Sequence, residues 1–279
     1  TGKAQLITPG DGEVENVIMS REGQTVYFTC NTGDIDRRHI WKRDLKNNLS
    51  IQVTKGKGIE WSPVITEVGL ALLHSGSDRP AWPAQVKPDG SVADIMPGQF
   101  PASFPQNKMV EPQAVQITAK DGMKIPAQLF FPKNHKAGEK HPALIFFHGG
   151  SKRQMLLGFN YGQYYSNAYA LNQYFADKGY IVLSVNYRSG IGYGLNFREA
   201  KNYGADGASE VNDVLGAGLY LKGRNDVDEK RIALWGGSYG GYLTAMGLAQ
   251  ASDLFACGVD IHGVHNWNEV IRNFAPSFD

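Results

Sequence analysis

Hydrophobic positions follow two rhythms along this chain. Up to about residue 93 the apolar runs are short and strand-like, separated by turn residues. Thr25-Val26-Tyr27-Phe28-Thr29 corresponds to Gly69-Leu70-Ala71-Leu72-Leu73. Gly33-Asp34 corresponds to Gly76-Ser77-Asp78, Ile40-Trp41 to Ala81-Trp82, and the turn at Asn47-Asn48 to Asp89-Gly90. These offsets approach the ~40–50-residue period of a four-stranded propeller blade. A blade is a small antiparallel sheet that cannot bury both faces alone, so each must stack on a neighbour. Two blades do not close a ring, and further blades are expected before Thr1. Arg37, Arg38 and His39 fall between strands and are expected to be solvated.

Pro97, Pro101, Pro105 and Pro112 punctuate a connector over residues 97 to 112, where missing donors and fixed φ angles favour an extended linker. The division expected is 1–108 for about two blades and linker, and 109–279 for the second domain. Beyond the linker, Ala114–Thr118 and Ile125–Phe130 flank the hairpin turn Asp121-Gly122. Strands and helices then alternate. Ala143–Phe147 and Ile181–Val185 read as buried strands, with a helix over Ala168–Lys178 between them, stopped at Gly179. Val211, Val214, Leu215 and Leu219 mark a second helix ending near Gly223. Arg231–Trp235 is a third strand, Tyr242, Ala245, Met246 and Ala249 trace a helix, and a strand runs through Cys257-Gly258-Val259. Such alternation predicts a mostly parallel sheet with helices on both faces.

The strand at Arg231 and the helix at Tyr242 enclose Gly236-Gly237-Ser238-Tyr239-Gly240. This is the Gly-x-Ser-x-Gly elbow of α/β-hydrolases in the strand-turn-helix context that gives it meaning. Ser238 is the candidate nucleophile. Acyl transfer also needs donors for the developing oxyanion and a base for the serine proton. The main-chain N–H of Tyr239 is the expected first donor, and Gly150, in the His148-Gly149-Gly150 exit of an earlier strand, the second. A base is harder to find. After Ser238 the chain offers His262 and His265, with Asp253, Asp260, Glu269 and Asp279. Both histidines come too early for the usual late loop, so they and Asp260 are expected to be structural. The triad acid and base are expected beyond Asp279.

Composition narrows the choices. The 279 residues carry 28 Lys and Arg against 27 Asp and Glu, a net charge of +1, with 42% hydrophobic residues. No basic face marks a nucleic-acid or membrane-surface partner, and no apolar run is long enough to span a bilayer. No metal or cofactor is expected: Asn225-Asp226-Val227-Asp228-Glu229 lacks a calcium-loop spacing, and Gly190–Gly194 lacks the context of a dinucleotide loop. Cys30 and Cys257 are expected to be two buried free thiols. Compartment and oligomeric state stay open.

Propeller-like blades, connector and elbow, in that order, resemble the prolyl oligopeptidase family of serine peptidases. Gly236–Tyr242 looks like that family's elbow, with tyrosine after the serine. His148-Gly149-Gly150 is similar to its oxyanion segment, although Ser151 stands where proline is common. Val185-Asn186-Tyr187-Arg188 is similar too, but Ser189-Gly190 reverses the usual Gly-Ser. The resemblance is strongest to the acylaminoacyl-peptidase and dipeptidyl-peptidase branch. It implies an incomplete α/β-hydrolase domain preceded by the last blades of a propeller, and a serine-type peptidase releasing dipeptides or acylated residues from short peptides. It also implies an apolar pocket walled by Tyr239, Val264, Trp267 and Val270. The aromatic run from Leu157 to Tyr169 stands either over a substrate cleft or in core packing. Two rival readings remain: an esterase or lipase with the same elbow, and an inactive binding protein lacking the acid and base.

Overall fold

The computed structural model describes residues 4–8, 10–136 and 138–273 and divides the chain into two compact units. Asp279, one of the acids considered above, lies outside the described residues.

The first unit comprises residues 1–112, 156–173 and 192–194. Strands β1 (Val14–Met19), β2 (Thr25–Cys30), β3 (His39–Asp44) and β4 (Leu49–Gln52) form one four-stranded antiparallel meander. A second meander comprises β5 (Ile59–Thr66), β6 (Gly69–Ser75), β7 (Trp82–Val86) and β8 (Val92–Asp94). Equivalent strands start at 14 and 59, 25 and 69, 39 and 82, and 49 and 92, offsets of 43 to 45 residues. The repeat in the sequence is therefore a repeat of sheets. Ile40 packs with Leu70, Leu72 and Ala84 in one buried cluster, which is how one blade covers the next.

Arg38 and His39 correct the expectation of solvated residues, since both are buried. Arg38 Nε donates to Glu15 at 2.7 Å, and its Nη1 to the Arg37 carbonyl. His39 Nδ1 pairs with Glu60 at 2.8 Å, and Glu60 also receives the Thr54 hydroxyl at 2.8 Å. A bare charge cannot be buried, but one met by carboxylates from other strands can. Burial works against the charge on His39, yet hydrogen bonds to Asp34 and Glu60 outweigh it and hold its pKa up at about 9. The folded value exceeds the ordinary 6.5, so this contribution is complete below pH 6.5 and disappears as pH rises to about 9. Urea unfolding between pH 6.5 and 9 should show a loss of stability that His39→Gln largely removes. Equal pH slopes in the two proteins would contradict the assignment.

The aromatic run resolves as packing within this first unit. Phe159 and Tyr169 are buried, the Phe159 carbonyl accepts the Ser75 hydroxyl at 2.7 Å, and Tyr169 donates to the Ser77 carbonyl at 2.8 Å. Helix α1 (Gln163–Asp177) starts five residues before the expected Ala168, because its first turn carries Tyr164 and Tyr165 and its apolar stripe begins late.

The second unit comprises residues 113–155, 174–191 and 195–279. Strands β9 (Gln113–Thr118) and β10 (Lys124–Phe130) form the expected hairpin around Gly122. With β11 (His141–Phe147), β12 (Ile181–Val185), β13 (Val227–Gly237) and β14 (Cys257–Ile261) they make a six-stranded sheet of order β14-β13-β11-β12-β10-β9. The four strands from β14 to β12 run parallel, while β10 is antiparallel to both its neighbours. Helices α2 (Leu195–Arg198), α3 (Val211–Lys222), α4 (Tyr239–Gln250) and α5 (Trp267–Asn273) complete the unit. This is the α/β-hydrolase sheet that the alternating pattern predicts. Strands β11 and β12 are near-continuous apolar runs, as strands covered on both faces must be.

Cys30 is buried, but Cys257 is exposed and corrects the expectation for that thiol. Among the described residues only β13 lies beside β14, so its residues keep much of their surface. No helix among the described residues is long and apolar enough to cross a membrane.

Candidate active site

The register of the parallel strands brings three strand ends to one place. Phe147 on β11 pairs with Gly236 on β13, and Gly236 and Gly237 pair with Asp260 and Ile261 on β14. The loops leaving β11, β13 and β14 therefore begin side by side. In open α/β sheets this carboxyl edge is where ligands bind.

Ser238 turns the chain from β13 into α4 with φ 56° and ψ −119°, a conformation that costs a non-glycine residue about 1–3 kcal/mol. Its N–H is held by the Ile261 carbonyl at 2.9 Å, and its carbonyl receives the Tyr242 N–H at 3.0 Å. The side chain is half-buried, and among the described residues no group hydrogen-bonds its Oγ. The flanking glycines are sterically required. A Cβ on Gly236 would lie 2.5 Å from the Gly240 carbonyl, and one on Gly240 only 2.0 Å from the Phe147 oxygen. Strand and helix can approach closely enough to raise the serine only with glycine at both positions.

Tyr239 opens α4, so its N–H belongs to the first-turn donors that have no acceptor within the helix. Its ring is buried and stacks on Tyr187 with centroids 5.8 Å apart. Tyr187 in turn stacks on His148 at 4.3 Å and donates its hydroxyl to the His148 carbonyl at 2.8 Å. Burial lowers the His148 pKa to about 4, so the imidazole is neutral near pH 7. Gly150 follows two residues later with φ 130° and an exposed backbone.

Arg188 fixes the loop after β12. Its guanidinium reaches Asp213 at 2.6 Å and Asp121 at 2.6 and 2.8 Å, and its own N–H donates to Asp213 at 2.8 Å. The hydrogen bonds from Arg188 hold Asp121 below the usual carboxylate range. Arg188 itself loses solvation on burial, but Asp121 and Asp213 outweigh that loss and keep it firmly protonated. Asn186 in the same loop accepts the Met155 N–H at 2.7 Å and donates to the Met155 carbonyl at 2.9 Å, tying this loop to the one after β11.

Of the four expected pocket residues, Tyr239 and Trp267 belong to an aromatic cluster, and Val264 and Val270 line a common cavity. Tyr239, Tyr242 and Trp267 meet edge to face, with centroids 5.6 to 5.8 Å apart. Val264 and Val270 line a cavity of about 410 Å³ together with His265, Asn266 and Glu269. A larger cavity, about 820 Å³, lies between strands of the first unit and involves none of these residues. Asp260 and His265 hold each other, Oδ2 to Nε2 at 2.6 Å, and Asp260 also accepts the Gly263 N–H at 2.8 Å. Both are thus engaged in shaping the turn after β14.

Glu210 contacts the elbow, which nothing in the sequence reading anticipated. It is fully buried at the start of α3 and accepts the Tyr239 hydroxyl at 2.6 Å. An acid 29 residues from its partner has no signal in local spacing. The asparagine-and-acid loop over 225–229 is accounted for by arginines: Asp226 pairs with Arg224 at 2.6 Å and Asp228 with Arg231 at 2.7 Å.

The profile of the prolyl oligopeptidase family matches residues 166–277, a span that includes the elbow. Over that span the chain is similar to the prolyl oligopeptidase family. Dipeptidyl aminopeptidase BIII of Pseudoxanthomonas mexicana is 34% identical over 178 residues, which are 61% of this chain and 24% of that protein. Dipeptidyl peptidase 8 of Homo sapiens is 32% identical over 282 residues, covering 91% of this chain and 29% of its own. The chain thus spans less than a third of these relatives' length. Among solved structures, a Pyrococcus horikoshii acylaminoacyl peptidase matches with a TM-score of 0.72 at 27% identity, over 92% of this chain and 38% of its own.

Proposed function

We propose that this chain supplies the nucleophile of a serine peptidase acting on short peptides, releasing dipeptides or acylated residues from the N-terminal end. The observation that carries the reading is Ser238 at φ 56° between β13 and α4, beside the first N–H of that helix, which has no acceptor within the helix. The named relatives, dipeptidyl and acylaminoacyl peptidases, support the substrate class.

In this reading Ser238 Oγ attacks the scissile carbonyl and its proton passes to a base. The Tyr239 N–H and the backbone at Gly150 receive the oxyanion, where preorganised donors are worth about 10²–10³ each in kcat. Collapse expels the amine, which takes the proton from the base, and water then hydrolyses the acyl-enzyme by the reverse sequence. We assign the base and its acid to residues outside these 279. One finding supports that: the chain spans less than a third of the curated relatives compared above. The first domain is read as 1–108 and the second as 109–279. Tyr239, Val264, Trp267 and Val270 are proposed to receive a small or proline-like side chain.

The test compares matched dipeptidyl anilide and alkyl ester substrates with the full natural chain. A peptidase should process the anilide with kcat/KM within about 10³ of the ester, inside the range of measured enzymes. Ester turnover with no detectable anilide cleavage would replace the reading with an esterase.

A further inference from the structure

We infer that Glu210 is a positioning residue for the oxyanion donors and acts through the Tyr239 side chain. The inference rests on the reading of Ser238 as nucleophile. Glu210 is completely buried, and its carboxylate collects three donors from three parts of the chain. Tyr239 donates its hydroxyl at 2.6 Å, Ser189 its hydroxyl at 3.0 Å, and Gly204 its N–H at 3.2 and 3.3 Å. Among the described residues no cation pairs with it. A buried carboxylate met only by neutral donors is costly to desolvate, so it is a poor choice for stability alone. Its effect is geometric.

The geometry links both oxyanion donors. The Tyr239 main chain carries the first donor, and its phenol is fixed by Glu210. Its ring stacks on Tyr187, and Tyr187 both stacks on His148 and hydrogen-bonds the His148 carbonyl. His148 leads directly into Gly149-Gly150, which carries the second. The column Glu210–Tyr239–Tyr187–His148 therefore sets the spacing between the two. Ser189 adds a further tie. It occupies φ 70°, a region that favours glycine, and its hydroxyl bond to Glu210 helps hold that backbone in place.

Donors that must be in place before the transition state affect kcat more than KM. The experiment uses the full natural chain, a dipeptidyl anilide, and a fluorophosphonate probe to count competent serines. It compares wild type with Glu210→Ala, Glu210→Gln, Tyr239→Phe and the Glu210→Ala/Tyr239→Phe pair. Per titrated site, Glu210→Ala and Tyr239→Phe should each lower kcat about 30-fold or more, with KM within about 3-fold. The pair should be no worse than the worse single variant, and Glu210→Gln, which keeps an acceptor oxygen, should recover to within about 5-fold of wild type. Unchanged kcat in Glu210→Ala, or losses that multiply in the pair, would overturn the inference. If Glu210→Ala does not fold, Tyr239→Phe decides, because it removes one hydroxyl and keeps the ring; wild-type kcat there overturns it. A wild-type chain that neither labels at Ser238 nor cleaves the anilide is a different result, and it removes the serine-peptidase reading itself.

Discussion

Replacing Ser238 with alanine should abolish anilide and peptide hydrolysis by the full natural chain, on the order of 10⁶ in kcat. The size follows from the mechanism. Without Oγ no acyl-enzyme forms, and what remains is the contribution of binding and oxyanion donors to attack by water. The fold should survive, because Oγ has no hydrogen-bond partner among the described residues and alanine fills nearly the same space. Thermal unfolding should therefore shift by less than about 0.5 kcal/mol in stability. Ser238→Gly offers an internal check. Glycine relieves the strained φ of 56°, so that variant should be inactive yet more stable by about 1 kcal/mol. Inactivity with lowered stability in both variants would point to a structural serine.

The second large effect is expected at Gly240. An alanine Cβ there would lie 2.0 Å from the Phe147 oxygen, 2.7 Å from its carbonyl carbon and 2.8 Å from the His148 oxygen. All three atoms are backbone, so no rotamer change relieves the overlap, and α4 must move away from β11. Overpacking usually costs about 1–3 kcal/mol, and a backbone clash belongs at or above the top of that range. The same movement carries the Tyr239 N–H away from Ser238. Gly240→Ala should thus lose most soluble folded protein, and any folded remainder should show kcat reduced at least about 10³-fold. Near-normal kcat in well-folded protein would mean that the approach of α4 to β11 is not what positions the site.

Much of this architecture is legible in the sequence because its causes are local. Blades repeat every 43 to 45 residues, and β11 and β12 are near-continuous apolar runs. The elbow is bounded by glycines that steric contact demands at Gly236 and Gly240. What stays hidden depends on partners distant in the chain. Arg38 reads as solvated until Glu15, 23 residues away, is placed beside it, and His39 until Glu60, 21 residues on, is. Cys257 reads as buried because its strand is apolar, but burial depends on which strands flank it, and among the described residues only β13 flanks β14. The surroundings of the expected pocket residues depend on such partners too. Trp267 and Val270 are three residues apart on α5, yet the Trp267 ring turns to Tyr239 and Tyr242 while Val270 lines the neighbouring cavity.

The central claim is that Ser238 is the nucleophile, and covalent labelling tests it most directly. The full natural chain is treated with a fluorophosphonate probe, digested, and read by mass spectrometry for the modified residue. The account predicts a single stoichiometric adduct on the peptide containing Ser238, absent from Ser238→Ala. An adduct on another serine, or none from a protein that still cleaves peptides, would contradict it.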